Sequence, residues 1–365
     1  GRLLVTWLVD AKTEIRRYLP NGTPDGTVAL PGIGTAGGFC GHPDDDEAFF
    51  IFTGYDAPTT IYHYDIASRH LEVWARPEVA IDLSRIAVEQ RFYQSKDGTR
   101  IPIFVVCRAD ARAPAPTVLY GYGGYGISML PYYSPAVLAW VEAGGAYAVA
   151  NLRGGGEYGR AWHDAGRLAN KQNVFDDFIA AAEYLKSEGI ASADGLAIQG
   201  ESNGGLLVAA VTNQRPDLFA AALPGVGVMD MLRFARFTGG QFWIGDYGDP
   251  AKEADFRNLL SYSPYHTIRP GTPYPAILVT TADTDDRVVP AHSFKYVAAL
   301  QAAGLGDRPR ILRVDKRAGH GAGKPTGKAI DELADLWAFA AHWTGLDYAS
   351  ALRTLLRPMS WDQAI

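Results

Sequence analysis

The sequence predicts an α/β protein with a mostly parallel sheet, preceded by blades of a β-propeller. Three observations predict it. Up to about residue 75 short apolar strands follow one another with turn residues between them. From about residue 76 apolar strands alternate with amphipathic helices. One of those strands runs straight into a glycine-flanked serine that opens a helix.

In the first region Leu3–Val9 is apolar and β-branched, Asp10-Ala-Lys is a turn, and Glu14–Leu19 is its partner, ended by Pro20-Asn-Gly-Thr. Val28–Leu30 follows, then a Gly-rich link from Gly32 to Gly41. Glu47–Thr53, Thr59–Tyr64 and Leu71–Ala75 complete the set. Meandering short strands suit propeller blades, and residues 1–75 suffice for about two blades of four strands, against the roughly 4–8 blades of a closed ring. The rest of the propeller is therefore expected upstream or on another chain, since Gly1 already opens in a strand pattern.

From 76 to 365 the predicted strands are Thr117–Tyr122, Ala146–Leu152, Gly195–Gln199, Ala220–Gly225, Ala276–Thr281 and Arg310–Val314. The helices between and after them are Val174–Glu188, with Phe175, Phe178, Ile179, Ala182 and Leu185 on one stripe, Ser202–Gln214, Ala291–Ala303, and a closing helix from Lys328 to Trp343. Such a sheet is covered on both faces and carries its chemistry at the carboxyl ends of its strands.

Composition excludes several classes. The chain has 365 residues with net charge -6, 47% hydrophobic and 20% charged, a soluble globular balance without a basic patch, so no nucleic-acid partner is expected. No apolar run is long enough for a bilayer, so no membrane partner is expected. Cys40 and Cys107 carry no metal-ligand spacing and are expected reduced and mostly buried. Neither a His-Glu-x-x-His pattern nor a dinucleotide fingerprint occurs, and no cofactor is expected. The compartment is left between cytoplasm and periplasm.

Gly200-Glu-Ser202-Asn-Gly204 lies between a strand and a helix, the setting of the nucleophile elbow of an α/β-hydrolase fold. In that fold an acid and then a histidine follow the serine along the chain. Asp283, Asp285 and Asp286 compete for the acid, all at the end of one strand. Of the histidines after Ser202, His292 stands too near the acid, His342 lies in the closing helix, and His266 follows no strand. His320 sits in a Gly-flanked loop after the last strand, where a base could approach both partners. One oxyanion donor is expected from the Asn203 N–H. The Tyr120-Gly-Tyr122-Gly-Gly-Tyr125 loop is either a tyrosine donor's mount or a turn with packing aromatics.

The chain resembles the prolyl oligopeptidase family over roughly residues 77–345. The motifs that carry the resemblance are Leu119-Tyr-Gly-Tyr-Gly-Gly, Asn151-Leu-Arg-Gly-Gly-Gly-Glu-Tyr-Gly, Asn170-Lys-Gln-Asn-Val-Phe-Asp-Asp-Phe and Ser202-Asn-Gly-Gly-Leu-Leu-Val. Further along stand Asn213-Gln-Arg-Pro-Asp-Leu-Phe, Gly227-Val-Met-Asp-Met-Leu, Thr281-Ala-Asp-Thr-Asp-Asp-Arg-Val-Val-Pro and Ala318-Gly-His-Gly-Ala-Gly-Lys-Pro. The resemblance implies an α/β-hydrolase fold preceded by the last blades of a propeller. It implies a serine endopeptidase that cuts short peptides on the carboxyl side of proline through an acyl-enzyme. Ser202, Asp285 and His320 would be the triad, and Tyr122 with Asn203 the oxyanion hole. Trp243 would stack on the substrate proline, Tyr125, Val228, Tyr247 and Val288 would line its pocket, and Arg287 would hold the preceding carbonyl. The partners implied are short proline-containing peptides, with a requirement for the missing propeller portion and a monomeric state when complete. The alternatives are an aminoacyl peptidase or esterase on the same fold, a non-catalytic binder, or an inactive piece lacking its propeller.

One residue departs from the family pattern. Glu201 stands before the serine where the family usually has glycine. A carboxylate there favours a protonated His320 and is expected to shift the acidic limb of the pH–rate profile.

Overall fold

The computed structural model describes residues 1–42, 44–321 and 323–348. The tail 349–365, expected within the catalytic part, and position 322 of the His320 motif lie outside the described residues.

The chain opens with a three-stranded antiparallel sheet, β1 (Leu3–Val9), β2 (Lys12–Tyr18) and β3 (Pro24–Val28). A four-stranded antiparallel sheet follows, β4 (Thr35–Cys40), β5 (Glu47–Gly54), β6 (Ala57–Asp65) and β7 (Leu71–Ala75). Alternation drives both. Along β5 the even positions Ala48, Phe50 and Phe52 are buried, and they meet Ile15, Val28, Ala36 and Tyr64 in a small core between the sheets. The Gly32–Gly41 link expected from sequence is in fact largely strand. Gly37 and Gly38 sit where the β4–β5 register shifts, and Gly38 adopts φ 70°, so the glycines mark a bulge rather than a linker. The strand expected at Val28–Leu30 ends instead at Val28. Both cysteines are free. Cys107 is half-buried, but Cys40, at the end of β4, is exposed, contrary to expectation.

The second part is an eight-stranded sheet. Its elements in chain order are β8 (Ile86–Gln94), β9 (Arg100–Arg108), β10 (Ala115–Tyr120), α1 (Pro135–Glu142), β11 (Ala146–Ala150), α2 (Arg160–Asp164), α3 (Gln172–Ser187), β12 (Ala191–Glu201) and α4 (Asn203–Gln214). Then come β13 (Ala221–Gly225), α5 (Ile244–Tyr247), α6 (Glu253–Tyr262), β14 (Ala276–Ala282), α7 (Ala291–Ala302), β15 (Arg310–Asp315) and α8 (Thr326–Thr344). The strand order is β15-β14-β13-β12-β10-β11-β9-β8. Strands β11 to β15 pair in parallel through β10, while the β8–β9 hairpin joins antiparallel at one edge.

Each face of the sheet has its own core. On one, α3 buries Val174, Phe175, Phe178 and Leu185, and α4 is buried along nearly its whole length, around an apolar run from Leu206 to Val211. On the other, Trp140 of α1 and Trp337 of α8 pack with ring centroids 5.3 Å apart. The first seven strands dock on this body. The Tyr158 hydroxyl donates to Asp10 at 2.6 Å, Thr35 to the Pro131 carbonyl at 2.8 Å, and Tyr55 and Ala11 enter the second core. No helix among the described residues is long and apolar enough to cross a membrane.

Candidate active site

The parallel strands β10, β12, β14 and β15 end on the same side of the sheet, and each is followed by a segment that carries part of the site. Ser202 follows β12 at the start of α4. Its backbone adopts φ 59°, ψ -116°, a strained conformation that costs about 1–3 kcal/mol and has to be imposed by its surroundings. The surroundings are tight. A Cβ on Gly200 or on Gly204 would stand 2.7 Å from the Gly121 carbonyl oxygen, so only glycine lets the turn approach β10's end. The Ser202 N–H donates to Gly225 O at 2.9 Å, which ties the corner to β13.

Asp285 follows β14 and is buried. Its Oδ1 accepts the N–H groups of Arg287 at 3.0 Å and Val288 at 2.9 Å, and its Oδ2 lies 2.6 Å from His320 Nδ1. The competing carboxylates do other things. Asp283 accepts the Arg317 N–H at 2.6 Å, and Asp286 stands exposed at the rim of a cavity. His292 is buried, with Nδ1 accepting the Asp230 N–H at 3.1 Å, and burial pushes its pKa down to about 4. His266 Nδ1 pairs with the Ser263 hydroxyl at 2.8 Å.

Two cavities meet at Ser202. The larger, about 730 Å³, is walled by Tyr122, Tyr125, Val228, Trp243 and Tyr247, with Asp286 and Arg287 on the side of the acid. Trp243 lies nearly parallel to Phe234, at 6.4 Å and 14°, and Tyr125 meets Tyr247 edge-on at 5.7 Å. The smaller, about 460 Å³, holds His320 and Glu201. Tyr122 borders both. Burial pushes its phenol above the ordinary value, the Asp246 charge adds to that, and Arg287 and the Ser202 hydroxyl beside it oppose. It is therefore a neutral O–H donor at physiological pH.

Val288 departs from expectation. It does not line the cavity; turning its N–H onto Asp285 sends its side chain into the core, where it is 2% exposed. Asn203 is buried with its N–H in the first turn of α4. Its side-chain amide donates to Tyr122 O at 2.5 Å, and its Oδ1 accepts from Tyr247 Oη and Lys171 Nζ, both at 3.0 Å. Glu201 accepts from the Tyr120 hydroxyl at 2.9 Å and the Gln199 amide at 3.0 Å, while burial holds its carboxyl above the usual range.

Three residues escaped the sequence reasoning. Lys171 lies under Asn203 although it was quoted only as part of a motif. His163 pairs with Asp246 at 2.5 Å; it precedes Ser202 and so stands outside the serine–acid–histidine order. Phe242, 81% exposed at the cavity mouth, had a signal in its place beside Trp243.

Comparisons with known proteins agree with this arrangement. Residues 131–347 match the prolyl oligopeptidase family, and residues 1–77 match the prolyl oligopeptidase N-terminal beta-propeller domain. The chain is 47% identical over 350 residues to a prolyl endopeptidase of Elizabethkingia miricola, covering 95% of the chain and 50% of that protein. It is 45% identical over 350 residues to the prolyl endopeptidase of Elizabethkingia meningoseptica, with the same coverage of 95% and 50%. A structure from a mechanistic study of two prolyl endopeptidases superposes with TM-score 0.89 at 53% identity, over 97% of this chain and 52% of that one. The chain thus spans about half the length of the curated relatives it matches.

Proposed function

The chain belongs to the prolyl oligopeptidase family, and from that premise we propose that it carries out serine-nucleophile hydrolysis of short peptides on the carboxyl side of proline. The observation that carries the reading is the position of Ser202: it borders both the cavity that holds His320, itself paired with Asp285, and the cavity walled by Trp243. Chemistry and proline recognition then meet at one residue.

In this mechanism Ser202 Oγ attacks the carbonyl carbon of the substrate proline while His320 Nε2 takes the hydroxyl proton. Asp285 holds the Nδ1–H tautomer through its 2.6 Å contact and steadies the imidazolium that forms. Two backbone N–H groups on Oδ1 keep Asp285 oriented for that task. The negative oxygen of the tetrahedral intermediate receives hydrogen bonds from Tyr122 Oη and the Asn203 N–H. Collapse expels the leaving amine, which takes the proton from His320. Water then attacks the acyl-enzyme with His320 as base. Proline offers a rigid ring and no N–H, so flat aromatic walls such as Trp243 reward it by stacking and area burial. Arg287, exposed beside the cavity, reaches the carbonyl of the residue before proline. We assign residues 1–75 to the propeller part and the following residues to the catalytic part. The change from antiparallel meander to eight-stranded sheet between β7 and β8 supports this division.

The test is hydrolysis of a blocked Gly-Pro chromogenic substrate beside its Gly-Arg and Gly-Ala analogues, with Ser202→Ala as control. Proline-selective turnover lost in the variant supports the reading. Equal turnover of the three analogues, or activity that survives Ser202→Ala, sinks it.

A further inference from the structure

A buried lysine stands beneath the site, and among the described residues no carboxylate forms an ion pair with it. Lys171, at the start of α3, is 1% exposed. Its ammonium donates to the Gly123 carbonyl at 2.9 Å and to Asn203 Oδ1 at 3.0 Å, and it lies 5.5 Å from the centre of the Tyr247 ring. All three partners are neutral. A buried charge among neutral acceptors is costly, and lysine is rarely retained in such a place for packing alone.

What the two hydrogen bonds join is informative. Gly123 follows Tyr122 in the loop after β10, and Asn203 follows Ser202 in the turn after β12. Asn203 Nδ2 in turn donates to the Tyr122 carbonyl. Lys171 and the Asn203 side chain therefore stitch two separate loops together at adjacent peptide units. The loops are pressed close enough that a Cβ on Gly124 would stand 2.6 Å from Asn203 Nδ2.

We propose that Lys171 is a positioning residue for the hydrolysis: its ammonium fixes the separation of the Tyr122 hydroxyl from the Asn203 N–H, the two donors that receive the oxyanion. This rests on the reading of those two donors given above. Electrostatic stabilisation of a developing charge depends on donors being placed beforehand, because reorganising them at the moment of reaction costs free energy. A bridge from a single ammonium to both loops supplies that placement, and its charge points positive potential along the Asn203 amide toward the oxyanion.

The bridge also makes the site sensitive to alkali. Burial brings the Lys171 ammonium down to about 8, with the Asp246 charge opposing. The groups packed around it are Tyr247 and Asp246 of α5. Behind them lie Tyr125, edge-on to Tyr247, and His163 of α2, paired with Asp246. As pH rises through about 8 the amine loses its charge and one donor, and the clamp weakens.

The experiment compares Lys171→Met with wild type in the intact protein, both confirmed folded by circular dichroism. It measures kcat and KM for the blocked Gly-Pro substrate at pH values on both sides of 8. The expected result is a kcat lowered roughly 10- to 100-fold with KM moved by less than about threefold, and loss of the alkaline limb near 8. Asn203→Ala keeps the backbone N–H but removes the acceptor that Lys171 grips, so it must reproduce the kcat loss; it carries the test if Lys171→Met does not fold. If wild type proves not to act on proline substrates, the rate at which a small alkyl fluorophosphonate labels Ser202 reads the same hole without the pocket. Slower labelling in Lys171→Met then supports the proposal. A kcat or labelling rate within about threefold of wild type, or an alkaline limb unchanged in the variant, overturns it.

Discussion

Removing one oxygen atom tests the proposed oxyanion hole most directly. Tyr122→Phe keeps the ring, which borders both cavities at Ser202, and deletes only the hydroxyl. A single oxyanion donor is worth about 10²–10³ in kcat, or about 2.7–4 kcal/mol. The structure places this case at the lower end. Tyr122 is half-buried and opens on a cavity of about 730 Å³, so water has room to replace the lost donor in part. The expected loss is roughly 100-fold, about 2.7 kcal/mol, and it should fall on kcat, because the hydrogen bond strengthens only as charge develops. KM should stay within about threefold, since the ring still walls the pocket. The assay is steady-state hydrolysis of the blocked Gly-Pro substrate, with burst kinetics to confirm that acylation is the step slowed. A kcat within about threefold of wild type would refute the assignment, as would a loss confined to KM, which would make Tyr122 a wall residue only.

Two further perturbations address charge. Glu201 shares the smaller cavity with His320, and its carboxyl, raised by burial, ionises beside the site as pH rises. Glu201→Gln should therefore move the acidic limb of kcat/KM to lower pH, and a limb that stays in place would dismiss the coupling. The same group bears on stability. Its folded pKa is raised above the unfolded value, so ionising it on raising the pH through that window costs stability, a cost the glutamine variant should lack. Arg153 grips the fully buried Asp177 through contacts at 2.6, 3.0 and 3.1 Å and reaches Asp97 at 2.5 Å. Arg153→Met leaves Asp177 buried without its partner and should cost about 3–5 kcal/mol in urea unfolding at neutral pH, less under acid where Asp177 takes up a proton; a loss below about 1 kcal/mol at both would count against the ion pair's importance.

Legibility in the sequence followed local repetition. Strands β10 to β15 and helices α3, α4, α7 and α8 announced themselves by apolar runs and stripes, and the Gly200–Gly204 turn by its setting between two of them. The β8–β9 hairpin was not legible. β8 mixes apolar and charged residues, as an outer strand only partly covered does, while β9 is apolar from Ile101 to Cys107 but carries Pro102, a residue that argues against an inner strand. β4 was hidden by the glycines that give it its bulge. Within the site, chain order led to Ser202 and His320, but contacts formed by residues far apart in sequence were invisible. Lys171 and Asn203 are 32 positions apart, and His163 and Asp246 are 83 apart. The side of Val288 was also out of reach, because its direction is decided by a backbone hydrogen bond to Asp285 and not by apolar character.

Of the three neighbouring carboxylates that sequence left in competition, Asp283 and Asp285 both hold the His320 segment, and Asp286 faces the cavity instead. The Asp283 N–H donates to Asp315 O at 3.0 Å, and its side chain accepts the Arg317 N–H, which holds the end of β15 against the end of β14. Thr284 then pins Ala318 through its hydroxyl at 2.7 Å, two residues before the histidine. Only after those anchors does Asp285 meet His320 Nδ1, and its other oxygen is already occupied by Arg287 and Val288 N–H groups. Asp286 and Arg287 are then turned out to the cavity and Val288 into the core. A base on a glycine-flanked loop would ordinarily sample many positions, since Gly319 and Gly321 have no neighbour to restrain an added Cβ. Here the loop is anchored just upstream of the glycines, so the freedom left to His320 is that of a short hinge. In the proposed mechanism such a hinge would let the imidazole swing between serine and leaving group while the contact to Asp285 keeps its tautomer. On that proposal the loop's glycines and the acidic segment's hydrogen bonds are one device, and neither would serve the proposed base without the other.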